Sequence, residues 1–368
     1  MSNVIRLSFP SRSDQRAART AALLEAFAHH RRDLDDVFWL KENAEILNIL
    51  ECTGQDVPRD ALETYRSFYD TIEARLEFFP QYYRFILSIC QDLETLGLGH
   101  GKSERLARWI ADQGLVEAEL SDLQRGEAIR LLSRVGVSCD ADANMINDRL
   151  RKFVSRPATF AVPNKKAAYE LTHIAFYLSE YGRRDLTICA DTRQSLVFTG
   201  TLAFLDCNWD LLAEVLVAMN YCGETPPEEW VTAVKEVTAR FAVAEGNEAV
   251  RQDDYHEYLV CNWALAQCGA QSGGQPFAGS LRPGPVSFHA DPYRPAPLRE
   301  MSQIMYGLDQ RRSSDWHLMR DYVCDNVSAD SADILLRAEA ATEDFAEFFA
   351  GFARTGMRAT PMMGELTA

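Results

Sequence analysis

The chain has 368 residues, 47% of them hydrophobic and 25% charged, with 54 acidic against 38 basic side chains and a net charge of −16. That balance supplies a large buried core and excludes a globally disordered chain. It also excludes nucleic acid as a partner, because neutralising phosphates needs a basic footprint, and disfavours an anionic membrane surface for the same reason.

No window approaches eighteen consecutive apolar residues, so no membrane span is expected. The first fifteen residues lack the apolar stretch of a secretory signal. The nine cysteines are odd in number and form no C-x-x-C pair, which reads as reduced, mostly buried thiols. A cytoplasmic protein is the expectation.

Apolar helical segments end near Gly54, Gly97, Gly136, Gly182, Gly223, Gly269, Gly307 and Gly351, at successive intervals of 43, 39, 46, 41, 46, 38 and 44 residues. Glycine closes a helix in the left-handed conformation without steric cost. An interval near 42 holds two helices and their turns, so the chain reads as a series of helical hairpins.

The first unit pairs 14–30 with 38–52. His29, His30, Arg31 and Arg32 close its first helix as a solvated cap suited to the negative end of the dipole. The second unit opens at Pro58, and its aromatic group Phe78, Phe79, Tyr82, Tyr83 and Phe85 reads as core packing. The third uses 103–113 and 118–135; Ser121, Asp122 and Glu127 fall on its polar side and carry no role beyond solvation. The fourth runs from 143–154 through an extended break to the helix that ends at Gly182. The fifth and sixth are 185–204 with 209–222, and 226–243 with 254–268, where Asp253 or Asp254 is a natural cap.

The regularity then lapses. Residues 270–296 are rich in glycine and proline but hold Phe277, Phe288 and Tyr293, which suits an ordered loop serving as a lid better than a linker. Helices at 298–306, 316–324 and 329–350 pack on the same domain as the repeats of 14–269, so that 297–354 form its C-terminal part. Residues 1–13 are expected to be flexible and 355–368 frayed. The fold class is therefore all-α: six to eight antiparallel hairpins, closed into an (α/α) toroid in preference to an open solenoid, since the end helices are as apolar as the middle ones.

Aligning the three central second helices on their glycines puts Tyr169, Asp210 and His256 in one register, and His173 and Glu214 in the next turn. Glu170 stands one turn before His173. Side by side, such helices bring Glu170, His173, Asp210, Glu214 and His256 to one polar patch, which supplies a general acid and a general base. The subset His173, Glu214 and His256 is also a ligand set for zinc or iron. His289 and Tyr293 of the long loop are the residues to close the site. The plainer alternative makes His173 a structural tie to Glu214, and His256 an exposed first-turn residue. The expected function is thus an enzyme or small-molecule binder, with or without metal; the competing expectation is a helical-repeat scaffold that binds another protein.

With Y-E-L-T-H at 169–173, D-L-L-A-E at 210–214, V-F-W-L-K-E-N-A-E-I-L-N-I-L at 37–50 and F-F-P-Q-Y-Y-R-F at 78–85, the chain resembles uncharacterised all-helical bacterial proteins assigned only as domains of unknown function. The resemblance implies a helical fold and a cytoplasmic setting, and no activity.

Overall fold

The structure, a computed structural model, describes residues 12–272, 277 and 281–355. Of the segments expected to be flexible or frayed, 1–11 and 356–368 lie outside the described residues, as do 273–276 and 278–280 of the long loop.

The described chain is helical but for two short strands. Helix α1 (Arg12–Glu25) runs into a π turn at 26–30, and α2 (Val37–Cys52) follows, capped by the Asp36 carboxylate, which accepts from Phe38 N–H. Next come α3 (Arg59–Leu62), α4 (Arg66–Phe78), α5 (Tyr83–Leu96) and α6 (Lys102–Asp112). Helix α7 (Asp122–Arg134) starts at Ser121, whose hydroxyl accepts from Gln124 N–H, so this serine is a cap and not merely solvated. Helices α8 (Ala143–Val154), α9 (Pro157–Phe160) and α10 (Lys165–Leu178) lead to α11 (Ala190–Leu205), α12 (Trp209–Tyr221) and α13 (Glu228–Arg240).

Strand β1 (Ala242–Glu245) pairs antiparallel with β2 (Val286–His289), on either side of α14 (Tyr255–Ser272). The chain ends in α15 (Pro297–Leu308), α16 (Trp316–Asn326), α17 (Ala329–Ala341) and α18 (Phe345–Ala353). The single helix expected over 329–350 is broken where Thr342 takes an extended conformation.

Gly54, Gly97, Gly136, Gly182 and Gly223 all have left-handed φ, at 62°, 106°, 73°, 80° and 74°, and each follows a helix. The remaining three glycines depart from the pattern: Gly269, Gly307 and Gly351 lie inside α14, α15 and α18. A helix that gains tertiary packing past a glycine continues through it, at a propensity cost of about 1 kcal/mol.

The packing order follows the repeats. Helix α2 packs on α5, α5 on α7, α7 on α10, α10 on α12 and α12 on α14, and α14 meets α2. Helix α12 is buried on every side, with Leu211, Leu212, Val215, Leu216 and Val217 packed in the core and Glu214 the buried exception to its apolar surface. Helices α6, α8, α11 and α13 lie outside this group. Helix α11 is itself buried from Ser195 to Leu205, because α15, α17 and α18 cover its outer face. One apolar cluster joins all of this, from Leu23 to Ala353. No helix among the described residues is long and apolar enough to cross a membrane.

Arg31 is only 4% exposed, which overturns its reading as part of a solvated cap. Its guanidinium meets Glu42 at 2.7 Å and Asp253 at 2.7 Å, donates to the Val286 carbonyl at 3.0 Å, and packs over the rings of Phe27, Tyr255 and Phe288. Burial opposes its charge, but Asp253 and Glu42 outweigh burial and raise its pKa. Asp253 also accepts from Phe288 N–H at 2.8 Å and Asp254 from Ala290 N–H at 2.9 Å, so both side chains tie β2 to the start of α14.

Candidate functional site

Where neighbouring helices carry glycines at equivalent positions, five just past helix ends and Gly269 within α14, positions counted back from those glycines come to a common level. Nine residues before Gly54, Gly97, Gly136, Gly182, Gly223 and Gly269 stand Glu45, Ser88, Glu127, His173, Glu214 and Val260, and all six line one cavity of about 190 Å³. Each of α2, α5, α7, α10, α12 and α14 contributes to this wall. Lys41 and His256, thirteen before their glycines, and Arg130, Phe176 and Trp263, six before theirs, line it as well.

The polar contacts converge on His256. Its Nδ1 is 2.7 Å from Glu45 Oε1, and its Nε2 is 3.8 Å from both Asp210 Oδ2 and Glu214 Oε1. Burial works against the charged ring, yet Glu45, then Glu214 and Asp210, hold the proton, and the His256 pKa rises to about 9. At neutral pH this side chain is an imidazolium. Glu214 is 2% exposed; burial pushes its carboxyl above the usual range against the pull of His173, His256 and the Thr172 hydroxyl, which donates to it at 2.5 Å.

His173 is arranged differently. Its Nδ1 lies 2.7 Å from the Tyr169 carbonyl, one helical turn back, and 3.9 Å from Glu214 Oε2. A carbonyl only accepts, so Nδ1 carries the proton and, in the neutral ring, Nε2 keeps its lone pair. No side chain or backbone group among the described residues hydrogen-bonds to that Nε2. Tyr169 donates its hydroxyl to Asp210 Oδ2 at 2.9 Å, and burial and that carboxylate raise the phenol pKa.

The structure therefore brings His173, Asp210, Glu214 and His256 together. Glu170 stands apart: it pairs with Lys166 at 3.8 Å and does not line the cavity, because α10 turns it away from the face that carries His173. The lid residues are elsewhere too. His289 belongs to β2, where its Nε2 meets Ser287 Oγ at 2.9 Å, and Tyr293 donates to Asp330 and lines a separate cavity of about 310 Å³ with Arg294, Glu257 and Arg337. The pairing of β2 with β1 holds this segment away from the central cavity's wall.

Zinc or iron does not fit the donor set. Among the described residues no group of three or more His, Cys, Asp or Glu side chains is arranged to hold a metal ion. The Nδ1 atoms of His173 and His256 are already engaged by a carbonyl and by Glu45.

Several residues of the wall had no part in the expected site, Glu45, Glu127 and Arg130 among them. Glu45 holds the proton on His256; Glu127 accepts from Arg84, and Arg130 packs its guanidinium over Tyr181 at 4.8 Å and Tyr177 at 5.7 Å. The signal for Glu45 and Glu127 was the glycine register carried back through the first three repeats.

A family described as a domain of unknown function, DUF6902, matches residues 1–355, and the chain belongs to that family. No curated protein and no solved structure matches the chain.

Proposed function

We propose that this DUF6902 member is an enzyme that moves protons on a small polar molecule held in the central cavity, with His173 as general base and His256 as general acid. The observation that carries the reading is the contrast between two histidines on one cavity wall. His173 has Nδ1–H tied to a carbonyl and a free lone pair on Nε2, whereas His256 is held as an imidazolium by Glu45, Glu214 and Asp210. A ring nitrogen open to accept a proton, beside an imidazolium placed to give one, is what proton abstraction from one atom and delivery to another require.

In this reading the substrate gives a proton to His173 Nε2 and receives one at a second atom from His256. Glu45 then holds the neutral His256 ring in place while it is recharged from solvent. Thr172 and Tyr169 keep Glu214 and Asp210 oriented as the counter-charges. The order of helix contacts, from α2 through α5, α7, α10 and α12 to α14 and back to α2, supports a closed (α/α) ring around a cavity whose mouth leaves both histidines about a third exposed, open to substrate and to proton exchange with solvent.

The test is hydrogen exchange in D₂O. Purified protein is incubated with a mixture of small hydroxy, keto, amino and carboxylic compounds, and NMR reads deuterium entering carbon positions. One compound class is expected to be labelled, with labelling lost in His173→Ala at an unchanged melting temperature. If nothing is labelled and His173→Ala only lowers the melting temperature, the histidine is a structural tie and the scaffold reading takes its place.

A further inference from the structure

We propose that the ligand of the central cavity carries a carboxylate, received by Arg130 and the Trp263 indole N–H, on a flat body lying along the cavity's aromatic wall. This rests on the acid–base reading of the same cavity and adds what its substrate must present.

Arg130 is 6% exposed and lines the cavity. Its one hydrogen bond, from Nη1 to Glu180 Oε1, is 3.3 Å long, and its buried Nε has no partner. Trp263 lines the same cavity, and its buried Nε1 makes no well-formed hydrogen bond: the near acceptor is the Tyr221 hydroxyl, which already accepts from Gln267 and donates to Cys52. Buried polar groups are nearly always satisfied, so two orphans on one wall point to a missing group. Both orphans are donors. The missing group is therefore an acceptor, and beside a guanidinium the best acceptor is an oxyanion.

The charge around Arg130 selects the kind of oxyanion. Glu127 is paired with Arg84, so Arg130 faces Glu180 alone at 3.3 Å, and a monoanionic carboxylate matches its remaining donors better than a phosphate dianion. The tyrosine rings beneath Arg130 fix the plane of its fork, as two-point recognition of a carboxylate requires.

The aromatic wall sets the ligand's direction. From Arg130 it passes to Tyr181 at 4.8 Å, to Trp263 stacked 6.0 Å beyond, to Phe176 at 4.8 Å and to the His173 ring at 5.7 Å. A planar molecule along these rings places its carboxylate at Arg130 and its far end at the base.

The experiment melts the full-length protein at fixed ionic strength with benzoate, phenylacetate, their neutral amides benzamide and phenylacetamide, or inorganic phosphate. The two acids are expected to raise the melting temperature in a concentration-dependent way, by mass action on the folded state, and the amides and phosphate to leave it unchanged. Arg130→Gln is expected to abolish the shift, Trp263→Phe to weaken acid binding several-fold, and His173→Ala to keep it. The proposal is overturned if the acids stabilise no more than the amides, or stabilise Arg130→Gln as well as the parent. If Arg130→Gln does not fold, the difference between acid and amide and its reduction in Trp263→Phe decide the matter alone. Arg130-dependent acid binding without deuterium exchange would retain this inference and remove the catalytic one.

Discussion

His256 Nδ1 lies 2.7 Å from Glu45 Oε1, although 211 positions separate the two residues in sequence. The contact joins α2 to α14, so the first and last helices of the cavity wall meet through a charged hydrogen bond. Such a bond is roughly twice as strong as a neutral one, and it fixes which nitrogen of His256 faces Asp210 and Glu214.

That pair makes stability depend on pH in a defined direction. The folded His256 pKa of about 9 lies above its ordinary 6.5, so its contribution is complete below pH 6.5 and is lost as pH rises through 9. Urea midpoints are expected to fall over that window. In Glu45→Gln the fall should shrink, and the His256 titration followed by NMR should move down towards 6.5; an unchanged titration would remove Glu45 as the holder of the proton.

Glu214 separates charge from shape. Glu214→Ala strips the buried Thr172 hydroxyl of its acceptor and removes the carboxylate that lies 3.9 Å and 3.8 Å from the two imidazoles, and is expected to cost about 1–3 kcal/mol in chemical denaturation. Glu214→Gln keeps an acceptor for Thr172 and should recover part of that loss. It should also lower the His256 pKa, because one of the carboxylates that raise it is gone.

Arg31→Met tests the buried ion group beside β2. Glu42 and Asp253 face Arg31 with side chains at 0% exposure, and only Glu42 keeps a second cation, Arg32 at 2.8 Å. Leaving Asp253 unpaired is expected to cost about 3–5 kcal/mol, read as a lowered urea midpoint. Adding Asp253→Asn should restore much of it, since the uncompensated charge is then removed.

Gly200→Ala tests close packing. A Cβ at Gly200 would sit 2.3 Å from Cζ3 of Trp230, a side chain with 0% exposure and no room to retreat. Overpacking of this kind is expected to cost about 1–3 kcal/mol. Gly54, where an added Cβ meets nothing within 4 Å, is a contrasting case, because there only the φ of 62° resists substitution.

The helical character was legible because its marks are local, apolar spacing and the glycines that close helices at φ above +60°, whereas the caps at Asp36 and Ser121 went unread among other polar residues. The convergence of His173, Asp210, Glu214 and His256 was legible for a related reason, since a register counted from helix ends survives into space when the helices stand together. Glu45 obeys the same register but sits in the first repeat, and its nearness to the last depends on how far the helices curve round, which no local pattern states. Arg31 looked like an ordinary helix-end cation for the same reason: its two acids come from 11 and 222 positions away. The β1–β2 pairing was hidden by shortness, four residues in each strand.

The seam between α2 and α14 also bears on how the protein comes into being. On the ribosome, Arg31 and Glu42 emerge long before Asp253, and Glu45 long before His256. The nascent amino-terminal half must carry these charges hydrated and α2 without its last neighbour until some 200 further residues have been made, a span set by the separations of 222 and 211 positions. The cavity wall is thus completed only once α14 has been made, and a chain terminated before it lacks both His256 and the helix that brings it to Glu45.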